Sequence, residues 1–154
     1  FELLALRALD RIPDYFEVDS FRVIVERRYN AVGDLVTTSD ATVKTIVDGK
    51  SLMSVGEGNG PVNALDHALR KDLGKYSSYL SDLNLVDYKV RILSQGTGAV
   101  TRVTIESVDG AGRRWTTVGV SANIIDASFQ ALFDSIIYKL FRDDAPARLV
   151  TTAE

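Results

Sequence analysis

The stretch from Gly56 to Leu65, GEGNGPVNAL, spaces three glycines two apart and brings Pro61 to the start of a helical pattern. Glycine-rich turns into helices cradle phosphates, because open backbone N–H groups and the positive end of the helix dipole converge on one point. The spacing here is G-x-G-x-G. The dinucleotide fingerprint G-x-G-x-x-G is not met, and no Lys-Ser or Lys-Thr follows as a P-loop requires. Three physical properties remain. Glycines permit a sharp entry from strand to helix, Pro61 suits a first helical turn, and a helix start attracts a small carboxylate. A second run, Gly119-Val120-Ser121-Ala122-Asn123-Ile124, stands at the same point before another helical pattern. Two such helix starts facing each other would make a pocket for a small anion with an apolar tail. Two tight turns would leave the same pattern, and from pattern alone they are the simpler account.

Other reactive groups are few. There is no cysteine, so disulfides, zinc-thiolate sites and thiol nucleophiles are excluded. A single histidine, His67, rules out a metal site built on several histidines of this chain. It falls in a helical pattern beside Asp66 and reads as a surface or boundary residue. Asp87 and Asp126 are candidates for a carboxylate pair, but acidic residues at strand starts and helix N-termini are ordinary. Arg27-Arg28 and Arg113-Arg114 read as solvated strand ends, and Trp115 as a core or interface residue. Tyr76 and Tyr79 fall in a connector with no partner suggested by the pattern. No catalytic set emerges, since nucleophile–base chemistry needs a tuned base.

The elements that must position these residues follow from periodicity. The chain has 154 residues, 45% hydrophobic, enough for a real core. A net charge of −3 argues against a nucleic-acid partner. No apolar run approaches the ~20 residues of a membrane span, no signal-peptide pattern opens the chain, and no membrane partner is expected. The start, FELLALRALDRIP without methionine, reads as a segment of a longer protein. Leu3, Leu4, Leu6, Leu9 and Ile12 have helical spacing that Pro13 ends. A strand follows around Phe21–Glu26, then a loop or strand tip over 29–39, a strand over 41–47, an Asp48-Gly49 hairpin turn and a strand over 50–55. Val62, Leu65, Ala68, Leu69 and Leu73 share one helical face. The order then returns: strands over 85–93, 99–108 and 113–120, and a long amphipathic helix over 124–141. Val47-Asp48-Gly49 matches Val108-Asp109-Gly110, Phe21 matches Tyr88, Gly56 matches Gly119, Ala64 matches Ala127, and Ala68-Leu69 matches Ala131-Leu132. The expected fold is α+β: two βββα units related by a pseudo-twofold, antiparallel strands with a helix packed on one face of each, preceded by a short helix. The expected boundaries are a leading helix and linker at 1–13, a domain at 14–142 with units at about 15–75 and 85–142, and a flexible tail at 143–154.

The segments EGNGPVNALDHALRKDL, DYKVRIL and WTTVGVSANIIDASFQALFDSIIYKL resemble the C-terminal regulatory domain of the α-isopropylmalate synthase and citramalate synthase family. The resemblance covers roughly residues 1 to 142, and FELL with TVGVSANIIDAS sets the chain closer to the citramalate branch. It implies a cytoplasmic, homodimeric acyltransferase that condenses acetyl-CoA with a 2-oxo acid, pyruvate in the citramalate branch. The chemistry would reside in a separate (β/α)8 barrel of the same chain, with a divalent metal held by an Asp and histidines. This domain would carry no cofactor and no catalytic residue. It would bind the pathway's end product, isoleucine in one branch and leucine in the other, and inhibit the barrel from a distance.

The same resemblance implies an effector site formed by Val62 and Asn63 at the first helix start, Leu85, Tyr88 and Ile92 on the first strand of the second unit, Ala99 after the following loop, and Ser121, Ala122, Asn123 and Ile124 at the second helix start. GEGNGPVNAL would form one wall and GVSANIIDAS the other. Leu85, Tyr88, Ile92 and Val62 would take the apolar side chain, and N–H groups from Ser121 to Ile124 the carboxylate. Backbone carbonyls near Val62, Leu85 and Ala99 would take the ammonium. A regular strand cannot turn Leu85, Tyr88 and Ile92 to one face, so a bend or bulge near Asp87 is implied. A methyl group discriminates by only about 1–3 kcal/mol, which leaves isoleucine, leucine and valine open.

Overall fold

A computed structural model of the chain describes residues 2–94, 96 and 98–149. The elements run α1 (Glu2–Ala8), β1 (Glu17–Tyr29), β2 (Leu35–Val47), β3 (Lys50–Gly58), α2 (Pro61–Lys71), a 3-10 segment (Gly74–Leu80), β4 (Asn84–Ile92), β5 (Thr101–Val108), β6 (Arg114–Ser121) and α3 (Ile124–Arg142). There are two antiparallel three-stranded sheets, ordered β1-β2-β3 and β4-β5-β6, each followed by a helix. The fold is thus α+β, two βββα units after a short helix. Contacts divide the chain into two compact units. The first holds Tyr15–Ser77 with the described residues from Arg148 onward, and the second holds residues up to Asp14 together with Ser78–Ala147.

In the first unit the period-2 alternation of β2 turns Ser39, Ala41, Val43, Thr45 and Val47 inward. Over them α2 lays Ala64, Leu65, Ala68 and Leu69, packing on β3 and β2. Asp48 and Gly49 have φ of 50° and 77°, the two left-handed residues of a tight hairpin turn. The expected loop over 29–39 is shorter than expected: β2 already begins at Leu35. The turn before it is tied by Asn30 Oδ1, which accepts the N–H groups of Val32 and Asp34 at 3.1 and 2.9 Å. Tyr76, left without a partner by pattern, is fully buried edge-on to Tyr15, with ring centroids 5.7 Å apart. Aromatic residues so placed add to the core beyond their area.

In the second unit α3 packs on β6 and β5. Its inner face is unusually polar: Ser128, Ser135 and Lys139 are all buried. Each finds a partner, as buried polar groups must. Ser135 Oγ lies 2.6 Å from Ser107 Oγ and accepts the Trp115 indole N–H at 3.2 Å. Lys139 Nζ meets Asp143 at 2.6 Å, Asp82 at 3.2 Å and Asp109 at 3.4 Å. Arg113 grips Asp109 at 2.6 Å and also pairs with Asp143, so it is no solvated strand end. Burial pushes the Asp109 and Asp143 carboxyls up. For Asp109 the hydrogen bonds from Arg113 and the charges of Arg113 and Lys139 outweigh it, and for Asp143 those from Lys139 and Arg113 do, so both sit below the ordinary carboxylate value. For Lys139, burial works against the charge, but Asp143 and Asp82 win and its value is raised. This network ties the end of α3 to the β5–β6 hairpin. Residues 143–149, expected as tail, are held: Asp143 closes α3, Ala145 is buried and Leu149 N–H donates to Asp48 at 2.7 Å. Residues 150–154 of that expected tail lie outside the described residues.

The repeat is visible inside each unit. Gly56 and Gly119 sit where helix and strand approach most closely. A Cβ on Gly56 would stand 2.4 Å from Ala68 N, and one on Gly119 would stand 1.8 Å from Ala127 O. β1 and β4 each carry a register shift, between Val18 and Ser20 and between Leu85 and Asp87, and the next residues are the matched Phe21 and Tyr88. The hairpin match is one residue out of structural register. Phe21 pairs with Val43 and Tyr88 with Ile105, so Val47 corresponds to buried Asp109 rather than to Val108. The cause is turn length. Val47 and Lys50 enclose two residues, whereas Asp109 N–H bonds Arg113 O around three. Side chains from each helix also reach the outer edge of their sheet: His67 Nδ1 donates to Glu57 O at 2.7 Å, Lys71 Nζ to Val55 O at 3.1 Å, and Gln130 Oε1 accepts Val120 N–H at 3.1 Å.

Candidate functional site

The expected bulge is present. Leu85 pairs with Ser107 and Asp87 with Glu106, so Val86 is the extra residue. Beyond it Tyr88 pairs with Ile105, Val90 with Val103 and Ile92 with Thr101. Ladder partners point to the same face, and Ser107, Ile105 and Val103 are buried beneath α3. The inserted Val86 therefore brings Leu85, Tyr88 and Ile92 onto the helix side of the sheet, which a regular strand would not do. The three do not share one spot, however. Six residues of strand separate Leu85 from Ile92, roughly 20 Å, which exceeds the length of one amino acid. Leu85 stands in the row of Ser107 and Trp115, whereas Ile92 stands in the row of Thr101 and Ser121.

That second row leads to the start of α3. Asn123 is its N-cap: Oδ1 accepts the N–H groups of Ile125 and Asp126 at 2.8 and 3.2 Å. The Asn123 N–H is itself taken by Ser121 Oγ at 3.1 Å. Of the N–H groups expected to receive a carboxylate, the one at Asn123 is thus occupied. That of Ile124 has no partner among the described residues. Asp126 in the first turn complements the helix dipole and accepts Gln130 Nε2 at 3.1 Å. Tyr88, half-buried, extends its hydroxyl to within 3.0 Å of Ser128 Oγ, one turn into α3. The sequence reading had not singled out Ser128. Its signal was a polar residue on the buried stripe of α3, at the position where α2 has Leu65.

Ala99 lies in the segment before β5, its N–H donating to Gly96 O at 3.2 Å. Val62 and Asn63 belong to the first unit. There α2 begins at Pro61 behind an extended Gly60, with no side-chain cap, and Asn63 Oδ1 accepts Asn59 N–H at 3.3 Å. A Cβ on Gly58 would strike that same Asn63 side chain at 2.5 Å. The glycines of the opening motif thus serve close helix–strand packing, at Gly58 as at Gly56.

Two cavities stand apart from these residues. One, about 540 Å³ in the first unit, is lined by Val55, Gly56, Glu57, His67, Arg70 and Lys71. The other, about 230 Å³ in the second, lies between Glu2 and Leu3 of α1 and Arg114–Thr117 with Tyr138. His67 is exposed and already engaged with Glu57 O, while Asp87 binds Lys89 at 3.2 Å and Asp126 binds Gln130. Each of the three is engaged by a neighbouring group. Among the described residues no cluster of His, Cys, Asp or Glu could hold a metal ion, and no helix is long and apolar enough to cross a membrane.

Comparison with known proteins gives this arrangement its setting. The chain is 48% identical to an (R)-citramalate synthase of Aquifex aeolicus over 93% of its length and 51% identical to one of Geobacter sulfurreducens over 94%. It is 27% identical to a 2-isopropylmalate synthase of Carboxydothermus hydrogenoformans over 91%. In each case it spans only about a quarter of the relative, 27%, 27% and 25%. The family model of the LeuA allosteric (dimerisation) domain matches residues 1–140. The chain belongs to the LeuA allosteric (dimerisation) domain family.

Proposed function

We propose that this chain is the effector-binding part of a citramalate synthase, that it binds isoleucine, and that binding inhibits condensation of acetyl-CoA with pyruvate elsewhere in the same protein. The reading draws first on the 47–51% identity to (R)-citramalate synthases across nearly the whole chain. The structural observation that supports it most is the row Ile92–Thr101–Ser121. It sets the exposed Ile92 side chain and two hydroxyl-bearing residues in line with a helix start, which suits an α-amino acid with a branched side chain. In this reading Tyr88 and Ile92 meet the side chain, the N–H of Ile124 serves the carboxylate, and backbone carbonyls near Ala99 serve the ammonium. Leu85 is too far along the strand to meet the same ligand as Ile92. Val62 and Asn63 belong to the first unit and are not part of this arrangement.

The catalytic work, with its divalent metal, is assigned to the parts of the relatives that this chain does not span. A homodimer is the proposed assembly, in line with the family's description. Allosteric control requires a second site and a ligand that prefers one of two states, so this chain alone reports binding and not inhibition.

Calorimetric titration with isoleucine, leucine, valine and pyruvate tests the reading. A ligand that binds only the folded state at a hundredfold excess over Kd adds about 2.7 kcal/mol, so a melting shift accompanies it. Isoleucine binding most tightly supports the citramalate reading. Leucine binding most tightly transfers the chain to the isopropylmalate branch. Absence of binding leaves a dimerisation module.

A further inference from the structure

We infer that Ser128 is a positioning residue for side-chain selectivity: its hydroxyl fixes the ring of Tyr88 and so sets the width of the apolar end of the amino-acid site. The inference rests on reading β4 and the start of α3 as an effector site.

Ser128 is completely buried. Its hydroxyl donates to Ile124 O, in the first turn of α3, at 2.7 Å. Its one proton is thereby used, so the 3.0 Å contact with Tyr88 is a bond in which the tyrosine O–H donates to Ser128 Oγ. Tyr88 is then held at both ends. Its backbone sits in the ladder opposite Ile105, and its hydroxyl is anchored to the helix. The ring stands at a border on the helix face of the sheet. Leu85 on one side is half-buried, while Val90 and Ile92 on the other are exposed. Where the ring stands decides how far a ligand side chain can reach along β4.

The repeat supplies an internal control. The position of Tyr88 is filled in the first unit by Phe21, behind the same bulge, and that of Ser128 by Leu65, which is fully buried. The fold accepts a pair of hydrocarbon side chains here. The two hydroxyls are present together in the unit with the capped helix start and absent together in the other. With its proton given to Ile124 O, Ser128 Oγ is left as an acceptor that the Tyr88 hydroxyl fills, and packing alone calls for neither hydroxyl.

The test is titration of the chain and of its Ser128→Ala, Tyr88→Phe, double and Ser128→Thr variants with isoleucine, leucine and valine. Losing one neutral hydrogen bond corresponds to roughly a fivefold change. Ser128→Ala and Tyr88→Phe should each shrink the affinity ratio between the best and second-best amino acid by about that factor. The double variant should lose no more than either single one, and Ser128→Thr, which keeps the hydroxyl, should restore the ratio. In tyrosine-labelled protein without ligand, the ring-carbon signal of Tyr88 should move in Ser128→Ala. If Ser128→Ala fails to fold, Tyr88→Phe, which removes only a hydroxyl from a half-buried ring, decides. Unchanged ratios in a selective protein overturn the inference, even if affinity or melting temperature falls uniformly. Additive losses overturn it as well. A wild-type chain that binds none of the three amino acids overturns the effector reading itself and the inference with it.

Discussion

Gly119 lies so close beneath Ala127 that a Cβ on it would stand 1.8 Å from the Ala127 carbonyl oxygen, and Gly56 has the same relation to Ala64 and Ala68. The obstacle is backbone in both cases, so no side chain can swing away. Gly119→Ala is expected to cost about 3 kcal/mol or more, the upper range for overpacking, and Gly56→Ala somewhat less. Urea unfolding at neutral pH measures both. Gly60→Ala serves as the control, since a Cβ there meets nothing within 4 Å.

The buried charges of the second unit predict a pH profile. Asp109 and Asp143 have values held below the ordinary 3.8. A depressed carboxylate stabilises the fold above its unfolded value, and that contribution disappears as pH falls through the folded value. The acid limb therefore lies below about pH 4. Lys139 has a value raised above 10.5, so its contribution is complete below that value and lost as pH rises past it. Stability is expected to be level between these limits. Urea midpoints from pH 2 to pH 11 would show it.

Removing one partner of a buried ion pair costs about 3–5 kcal/mol. Lys139→Met is therefore expected to be among the most destabilising substitutions in α3, and its acid limb should be shallower, because Asp109 and Asp143 lose part of what holds them down. Equal acid sensitivity in the variant and the parent, read from the same urea series, would contradict this role for Lys139.

Asn123 caps α3 through two N–H groups. Asn123→Ala should cost about 1 kcal/mol, and Asn123→Asp should cost little, since it keeps the acceptor and adds a charge favourable to the dipole. Thermal unfolding of the two variants separates the cap from any effect on ligand.

Much of this architecture could be read from residue order. Alternation in β2 and β5, the Asp48-Gly49 turn and the paired glycines marked two βββα units. The bulge at Val86 followed from one requirement, that Leu85, Tyr88 and Ile92 share a face. What stayed hidden depends on contacts between residues far apart in the chain. Arg113 looked like a strand end because one of its partners, Asp143, lies 30 residues away, and nothing in the local pattern marked Lys139 as buried with Ser128 and Ser135 on the inner face of α3. Tyr76 followed a helix in a connector, where periodicity carries no information about Tyr15. The separation of Leu85 from Ile92 was hidden for another reason: a shared face says nothing about distance along it.

The side chains that reach from α2 and α3 to β3 and β6 have a consequence for how copies of this chain can misassemble. An edge strand recruits a foreign strand through its outward N–H and C=O groups. On β3 the carbonyls of Val55 and Glu57 are taken by Lys71 and His67, and on β6 the N–H of Val120 is taken by Gln130. These two strands are poor templates for fibril nucleation.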